Sequence, residues 1–150
     1  MQAPAVAGLG VALCMTVQAA GEGSGIKTRQ QEGSMNISLT IEGGESVTAT
    51  LHDTVAARDF ASLLPLILTL KDYASTEKVA ELPKRLDTEG EPDGFAPSRG
   101  DITLYAPWGN LAIFYKDFTF SRGLVSLGKL SRVPDAFRRP GPVTVTIARR

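Results

Sequence analysis

Gly100–Gly123, GDITLYAPWGNLAIFYKDFTFSRG, is the stretch that decides the fold. Ile102, Leu104 and Ala106 face one way along an extended segment, and Thr103 and Tyr105 face the other. The turn residues Pro107-Trp108-Gly109-Asn110 follow. Then Leu111, Ile113 and Tyr115 oppose Ala112 and Phe114. A period of two on both sides of a Gly-Asn turn reads as a β-hairpin. Both faces carry apolar groups, so the hairpin is expected to be covered on each side. An aromatic, charged loop follows it. Six of the ten aromatic residues lie between Tyr105 and Phe120, a density that points to a pocket rim or a barrel end.

The same period recurs outward from this centre. Ile37, Leu39 and Ile41 alternate with Ser38, Thr40 and Glu42; Gly43-Gly44 can take positive φ and close a two-residue hairpin; Val47, Ala49 and Leu51 return. Asp53 or Thr54 can cap the helix that follows, with Ala56, Phe60, Leu63 and Leu64 on one apolar face. Pro65 stops that helix by restricting Leu64. Leu66–Leu70 reads as a buried strand. Asp72–Pro97 is the least regular stretch; within it Glu77–Leu82 is a short strand or helical turn ending at Pro83. Leu124–Leu130 is a further strand, and 131–137 a helical turn with Pro134 near its start. Val143, Val145 and Ile147 alternate with Thr144 and Thr146 in a closing strand. Short strands, tight turns and one or two small helices predict a mainly β protein, a small closed β-barrel with the helices at its ends.

Composition narrows the function classes. The 150 residues carry 16 basic and 16 acidic side chains, a formal charge of zero. No long basic stripe offers the phosphate-neutralising surface of a nucleic-acid binder. Arg138-Arg139 and Arg149-Arg150 read as solvated ends. Cys14 is the single cysteine, so neither an internal disulfide nor a Cys-rich zinc site is available. His52 is the single histidine, which rules out a two-His metal site; it reads as a surface or hinge residue. Asp87, Glu89, Glu91 and Asp93 sit in a long loop over 87–98. They lack EF-hand spacing and read as solvated acids, so no metal is expected. No phosphate-binding glycine loop and no G-x-S-x-G nucleophile motif is present. Nothing calls for a cofactor.

Residues 1–34 differ from the rest. Ala3–Ala20 is small and apolar, and 21–34 is a polar, Gly-rich spacer. The apolar stretch is too glycine-rich and short for a stable membrane span. It reads as the h-region of a secretory signal with Val17-Gln18-Ala19 at the cleavage site, although no Lys or Arg precedes it. The alternatives are a disordered tail, or translated sequence upstream of a start at Met35. An export signal predicts a periplasmic or secreted protein; without one it is cytoplasmic. The domain itself is expected over 35–150.

The chain resembles cyclophilin-like domains, and more closely a compact bacterial cyclophilin-like family. The residues that carry this are 57–65 (ARDFASLLP), 68–73 (LTLKDY), Gly100-Asp101-Ile102, 106–115 (APWGNLAIFY) and Ser121-Arg122-Gly123-Leu124. The resemblance spans about Met35 to Ile147 and implies a small closed barrel with helices at its ends. Cyclophilins are understood to lower the roughly 18–20 kcal/mol barrier of peptide-bond isomerisation. They use an apolar proline pocket and an arginine that hydrogen-bonds the prolyl nitrogen. That arginine follows a Phe, one residue between, on the strand after the first helix. Here the strand is Leu66-Ile67-Leu68-Thr69-Leu70 and holds neither. The pocket histidine also has no counterpart, since His52 precedes the helix. These absences count against the standard isomerase chemistry, and no catalytic residue is assigned.

Two readings of function follow. In the first, Tyr105, Trp108, Phe114, Phe118 and Phe120 offer apolar surface, and Arg122 with Lys116 offers polar contacts, to a peptide or small-molecule ligand. In the second, the chain is a divergent peptidyl-prolyl isomerase in which Arg122, Arg58 or Arg99 replaces the missing arginine, Arg122 being preferred. Against both stands the arrangement in which the strand aromatics fill the barrel and Trp108 covers a hairpin end. An accessory domain acting beside another protein is a third possibility. The oligomeric state and the identity of any ligand are left open by the sequence.

Overall fold

The strand period of two is realised as a closed cylinder in the computed structural model, which describes residues 33–150. The expected export signal and most of the spacer fall on 1–32, outside the described residues. β1 (Met35–Ile41) and β2 (Ser46–Leu51) form the opening hairpin, with Leu39 opposite Val47. Its turn is longer than the two-residue Gly43-Gly44 turn expected, since the Ile41 N–H reaches the Glu45 carbonyl at 2.8 Å and of the two glycines Gly43 has positive φ, 68°. Ile37, Leu39, Ile41, Val47, Ala49 and Leu51 all point inward and are buried.

Helix α1 (Val55–Ser62) starts where an oxygen can satisfy its first free donors. Thr54 is the cap: its Oγ1 accepts from the Ala57 N–H at 3.2 Å. Asp53 is engaged elsewhere, in an ion pair with Arg58. Ala56, Ala57, Phe60 and Ala61 are buried against the barrel core, so α1 closes one end.

The wall continues with β3 (Leu66–Tyr73), β4 (Glu77–Glu81), β6 (Asp101–Tyr105), β7 (Asn110–Phe114), β9 (Leu124–Leu130) and β10 (Val143–Arg149). The order around the barrel is β1-β10-β3-β4-β7-β6-β9-β2, antiparallel throughout. Closure removes free sheet edges. A 3₁₀ turn over Asp135–Arg138 places buried Phe137 at the end opposite α1. β5 (Gly94–Phe95) and β8 (Ser121–Arg122) form a separate two-stranded ribbon.

Two further expectations are corrected. Leu66–Leu70 is not a buried strand: it alternates, with Leu70 buried and Ile67 74% exposed, and it runs on to Tyr73. The stretch after Asp72 holds an ordered hairpin, β3 to β4, closed by the Thr76 N–H to the Tyr73 carbonyl at 3.2 Å. Its central residues Ala74 and Ser75 both have positive φ, 52° and 55°. Of the two readings of Glu77–Leu82, strand is the one realised, over Glu77–Glu81.

The barrel's two faces are cleanly divided at the central hairpin. Ile102, Leu104, Leu111 and Ile113 belong to the interior core. Ala112, Phe114 and Leu124 form a second buried cluster, with Val79, Phe95 and Tyr105 packed on it. The strand aromatics therefore do not fill the barrel; they lie outside it.

Candidate functional site

The outer face of β4, β7 and β6 bears a cavity of about 450 Å³. Strand parity builds its floor: Val79, Ala112 and Phe114 point outward from adjacent strands, and Leu124 joins them from the start of β9. The β6–β7 turn supplies one wall. Gly109 has φ 71°, which glycine adopts freely. The Gly109 N–H reaches the Tyr105 carbonyl at 2.9 Å, closing the turn. Trp108 is held there at 59% exposure. Its ring meets Tyr105 edge-on at 5.1 Å between centroids, and Tyr73 edge-on at 6.0 Å, geometries that suit the aromatic quadrupole. The opposite wall comes from the loop after β7, where Phe118 stacks on Phe114 at 6.5 Å.

The polar residues around the cavity are few: Glu77, Asn110, Ser121 and Arg122. Arg122 lies in β8, and among the described residues its guanidinium has no carboxylate or carbonyl partner. Glu77 Oε2 accepts from the Thr76 hydroxyl at 3.0 Å. Burial pushes the Glu77 carboxyl above its ordinary 4.5, and the Thr76 hydroxyl partly opposes that shift. The cavity thus presents an aromatic interior, an unengaged guanidinium and a carboxyl held above its ordinary pKa by burial.

Of the residues singled out in the sequence, Tyr105, Trp108, Phe114, Phe118 and Arg122 all line this one cavity. Phe120 does not, and is 63% exposed. Lys116 points to a different cleft. Tyr73, Val79 and Glu77 also line it and carry no site signal in the sequence, because the β3–β4 hairpin that brings them here has a turn, Ala74-Ser75, without turn-forming residues. Arg58 is paired with Asp53, away from the cavity. His52 Nε2 contacts Ser126 Oγ at 2.9 Å on the surface, also away from it. Among the described residues no three His, Cys, Asp or Glu side chains converge as metal ligands. In the acidic loop, Asp87 Oδ1 accepts from the Glu89 N–H at 3.0 Å, a local turn contact.

An eight-stranded antiparallel barrel, end-capped by a helix and bearing an aromatic cavity on its side, defines a cyclophilin-like class of domain. The comparisons agree. The model of the cyclophilin-like family matches residues 39–148, and the chain belongs to that family. The solution structure of a hypothetical protein from Archaeoglobus fulgidus shares the fold, with a TM-score of 0.61 and 15% identity over 78% of this chain and 95% of that one. No curated protein matches. Among the described residues no helix is long and apolar enough to cross a membrane.

Proposed function

We propose that the lateral cavity binds a ligand, either a peptide segment or a small molecule. The ligand would place an apolar group on the Phe114–Leu124 floor and a hydrogen-bond acceptor or carboxylate against Arg122. The observation that carries this is the convergence of Tyr105, Trp108, Phe114 and Phe118 with Arg122 around one space of about 450 Å³. That volume falls within the roughly 300–1,000 Å³ range of small-ligand pockets. Trp108 at 59% and Phe118 at 45% exposure have apolar surface left to bury. Covering about half of such a ring contributes on the order of 1 kcal/mol.

The test is titration with proline-containing and aromatic peptides bearing a free carboxylate, followed by Trp108 fluorescence and amide shifts. Saturable changes confined to the cavity are expected, with Trp108→Ala weakening binding about tenfold. Changes spread over the surface, or unaltered by Trp108→Ala, would refute the reading.

The divergent isomerase reading draws on one observation, the unpartnered Arg122 beside the apolar floor. Turnover of a proline peptide that disappears in Arg122→Ala would support it. No turnover in the parent would leave binding as the function.

A further inference from the structure

A second cleft, of about 420 Å³, lies elsewhere on the barrel and is lined by Arg99, Lys116, Arg138 and Arg139 with Asp72 and Tyr115. The four cations are scattered in the sequence. They meet because Arg99 precedes β6, Lys116 follows β7, and Arg138-Arg139 ends the 3₁₀ turn, all at the barrel end opposite α1.

The charge in this cleft is not balanced from within. Asp72, the one acid among the described residues that line it, is already engaged on both oxygens. Its Oδ1 takes the Lys78 ammonium at 2.8 Å and the Tyr115 hydroxyl at 3.2 Å, and its Oδ2 takes the Gly141 N–H at 2.8 Å. Arg138 has a long contact to Asp135, 3.4 Å. Among the described residues Arg99, Lys116 and Arg139 have no ion-pair partner. The nearby Asp117 is bound through Oδ1 to the Arg99 backbone N–H at 2.8 Å.

The cleft also rests on a rigid support. Lys78 is wholly buried and donates to the carbonyls of Arg139 at 3.0 Å and Gly141 at 2.8 Å. It thereby ties the backbone from which Arg139 projects to strand β4. The Asp117 contact fixes Arg99 in the same way. Three cations without an ion-pair partner, two of them guanidinium forks on anchored backbone and the third, Lys116, lying over the Tyr115 ring at 5.9 Å, suit a compact anion with several charges.

We propose that this cleft binds a diphosphate group, free or esterified in a small molecule. The site is distinct from the lateral cavity and stands whether or not that cavity binds a ligand.

The experiment is amide-shift titration of the full chain with pyrophosphate, with ADP and citrate as further arms. Pyrophosphate is expected to give saturable shifts at Arg99, Lys116 and Gly141. Affinity should fall at least tenfold between about 50 and about 300 mM salt. Arg99→Ala with Arg139→Ala should lose tenfold or more, while Arg150→Ala, outside the cleft, should lose nothing. Arg99 and Arg139 are both exposed, and unchanged amide spectra elsewhere would show the fold intact. ADP competing for the same amides identifies an esterified ligand; pyrophosphate binding without ADP identifies the free anion. The proposal is overturned by no saturation up to about 10 mM pyrophosphate, about ten-thousandfold above micromolar affinity. It is equally overturned by citrate binding as tightly as pyrophosphate, or by the double variant binding like the parent.

Discussion

Replacing Lys78 with Met tests whether the buried ammonium holds one end of the barrel together. Methionine is of similar length and apolar, so packing is largely conserved and polar contacts alone are removed. Three are lost: the ion pair to Asp72 at 2.8 Å and the bonds to the Arg139 and Gly141 carbonyls at 3.0 and 2.8 Å. Breaking a buried pair by deleting one member costs about 3–5 kcal/mol. Two effects reduce this. The Asp72 side chain is 30% exposed, so water can reach it, and it keeps the Gly141 N–H and the Tyr115 hydroxyl. The substitution also removes the cost of keeping an ammonium dry. The expected net loss is about 2–4 kcal/mol, a melting shift on the order of 10 °C for a domain of this size.

The pH dependence supplies a second check. The Lys78 hydrogen bond, foremost, holds the Asp72 carboxyl below its ordinary 3.8, despite opposing desolvation. A depressed folded value stabilises the native state above the unfolded pKa, and that contribution is lost as pH falls through the folded value. The gap between parent and Lys78→Met should therefore narrow below about pH 4. Urea unfolding at several pH values, with Asp72→Asn and the double variant completing a cycle, measures both. A Lys78→Met protein within about 0.5 kcal/mol of the parent at pH 7 would refute the reasoning, as would strict additivity with Asp72→Asn.

Other perturbations follow from local geometry. Gly123 has φ 91°, and a Cβ there would sit 2.9 Å from Pro107 Cδ and Cγ, so Gly123→Ala should cost about 2–3 kcal/mol by urea unfolding and shift the emission of the neighbouring Trp108. Ala74 and Ser75 hold left-handed angles that suit Asn and Gly, so the pair Ala74→Asn with Ser75→Gly should raise stability by about 1 kcal/mol, read as a higher melting temperature. Glu77 has its folded pKa raised by burial, so the stabilisation linked to its neutral form is full below about 4.5 and is lost as pH rises through the folded value. Glu77→Gln should therefore gain on the parent as pH rises from 4 to 7, and thermal melts showing a constant difference would contradict this.

The fold was legible wherever local chemistry and tertiary role agree. The β1–β2 hairpin carries alternation plus Gly43-Gly44, and the β6–β7 hairpin carries alternation plus Gly109-Asn110; both came through with their inward and outward faces correct. The β3–β4 hairpin was missed because its turn is Ala74-Ser75, residues that ordinarily avoid positive φ. Its strands also break the pattern, with Ile67 exposed on one and Lys78 buried on the other. Five of the six candidate ligand residues share the cavity because they sit close together on β6, β7, their turn, and the loop and short β8 that follow. Tyr73 and Glu77 come from the unrecognised hairpin and carried no signal of their own. The basic cleft was illegible for a different reason. Arg99, Lys116 and Arg139 are far apart in the chain, and only barrel closure brings them to one end.

Strand β4 shows how one short segment serves both places. Its side chains alternate, so Glu77 and Val79 look outward into the aromatic cavity while Lys78 looks inward. An inward lysine is costly in the middle of an apolar cylinder, but Lys78 sits near the start of β4, at the barrel end opposite α1. There the Arg139–Gly141 segment turns its carbonyls toward it and Asp72 offers a carboxylate. The same charge that satisfies those carbonyls fixes the backbone beneath Arg139. A register slip of one residue would reverse the arrangement, putting Val79 inside and exposing Lys78 on the cavity floor. Pairing of β4 with β7, Val79 against Ala112 and Glu77 against Phe114, prevents that slip by committing the apolar cavity floor to the outer face. The aromatic cavity and the basic cleft are thus set by one strand register.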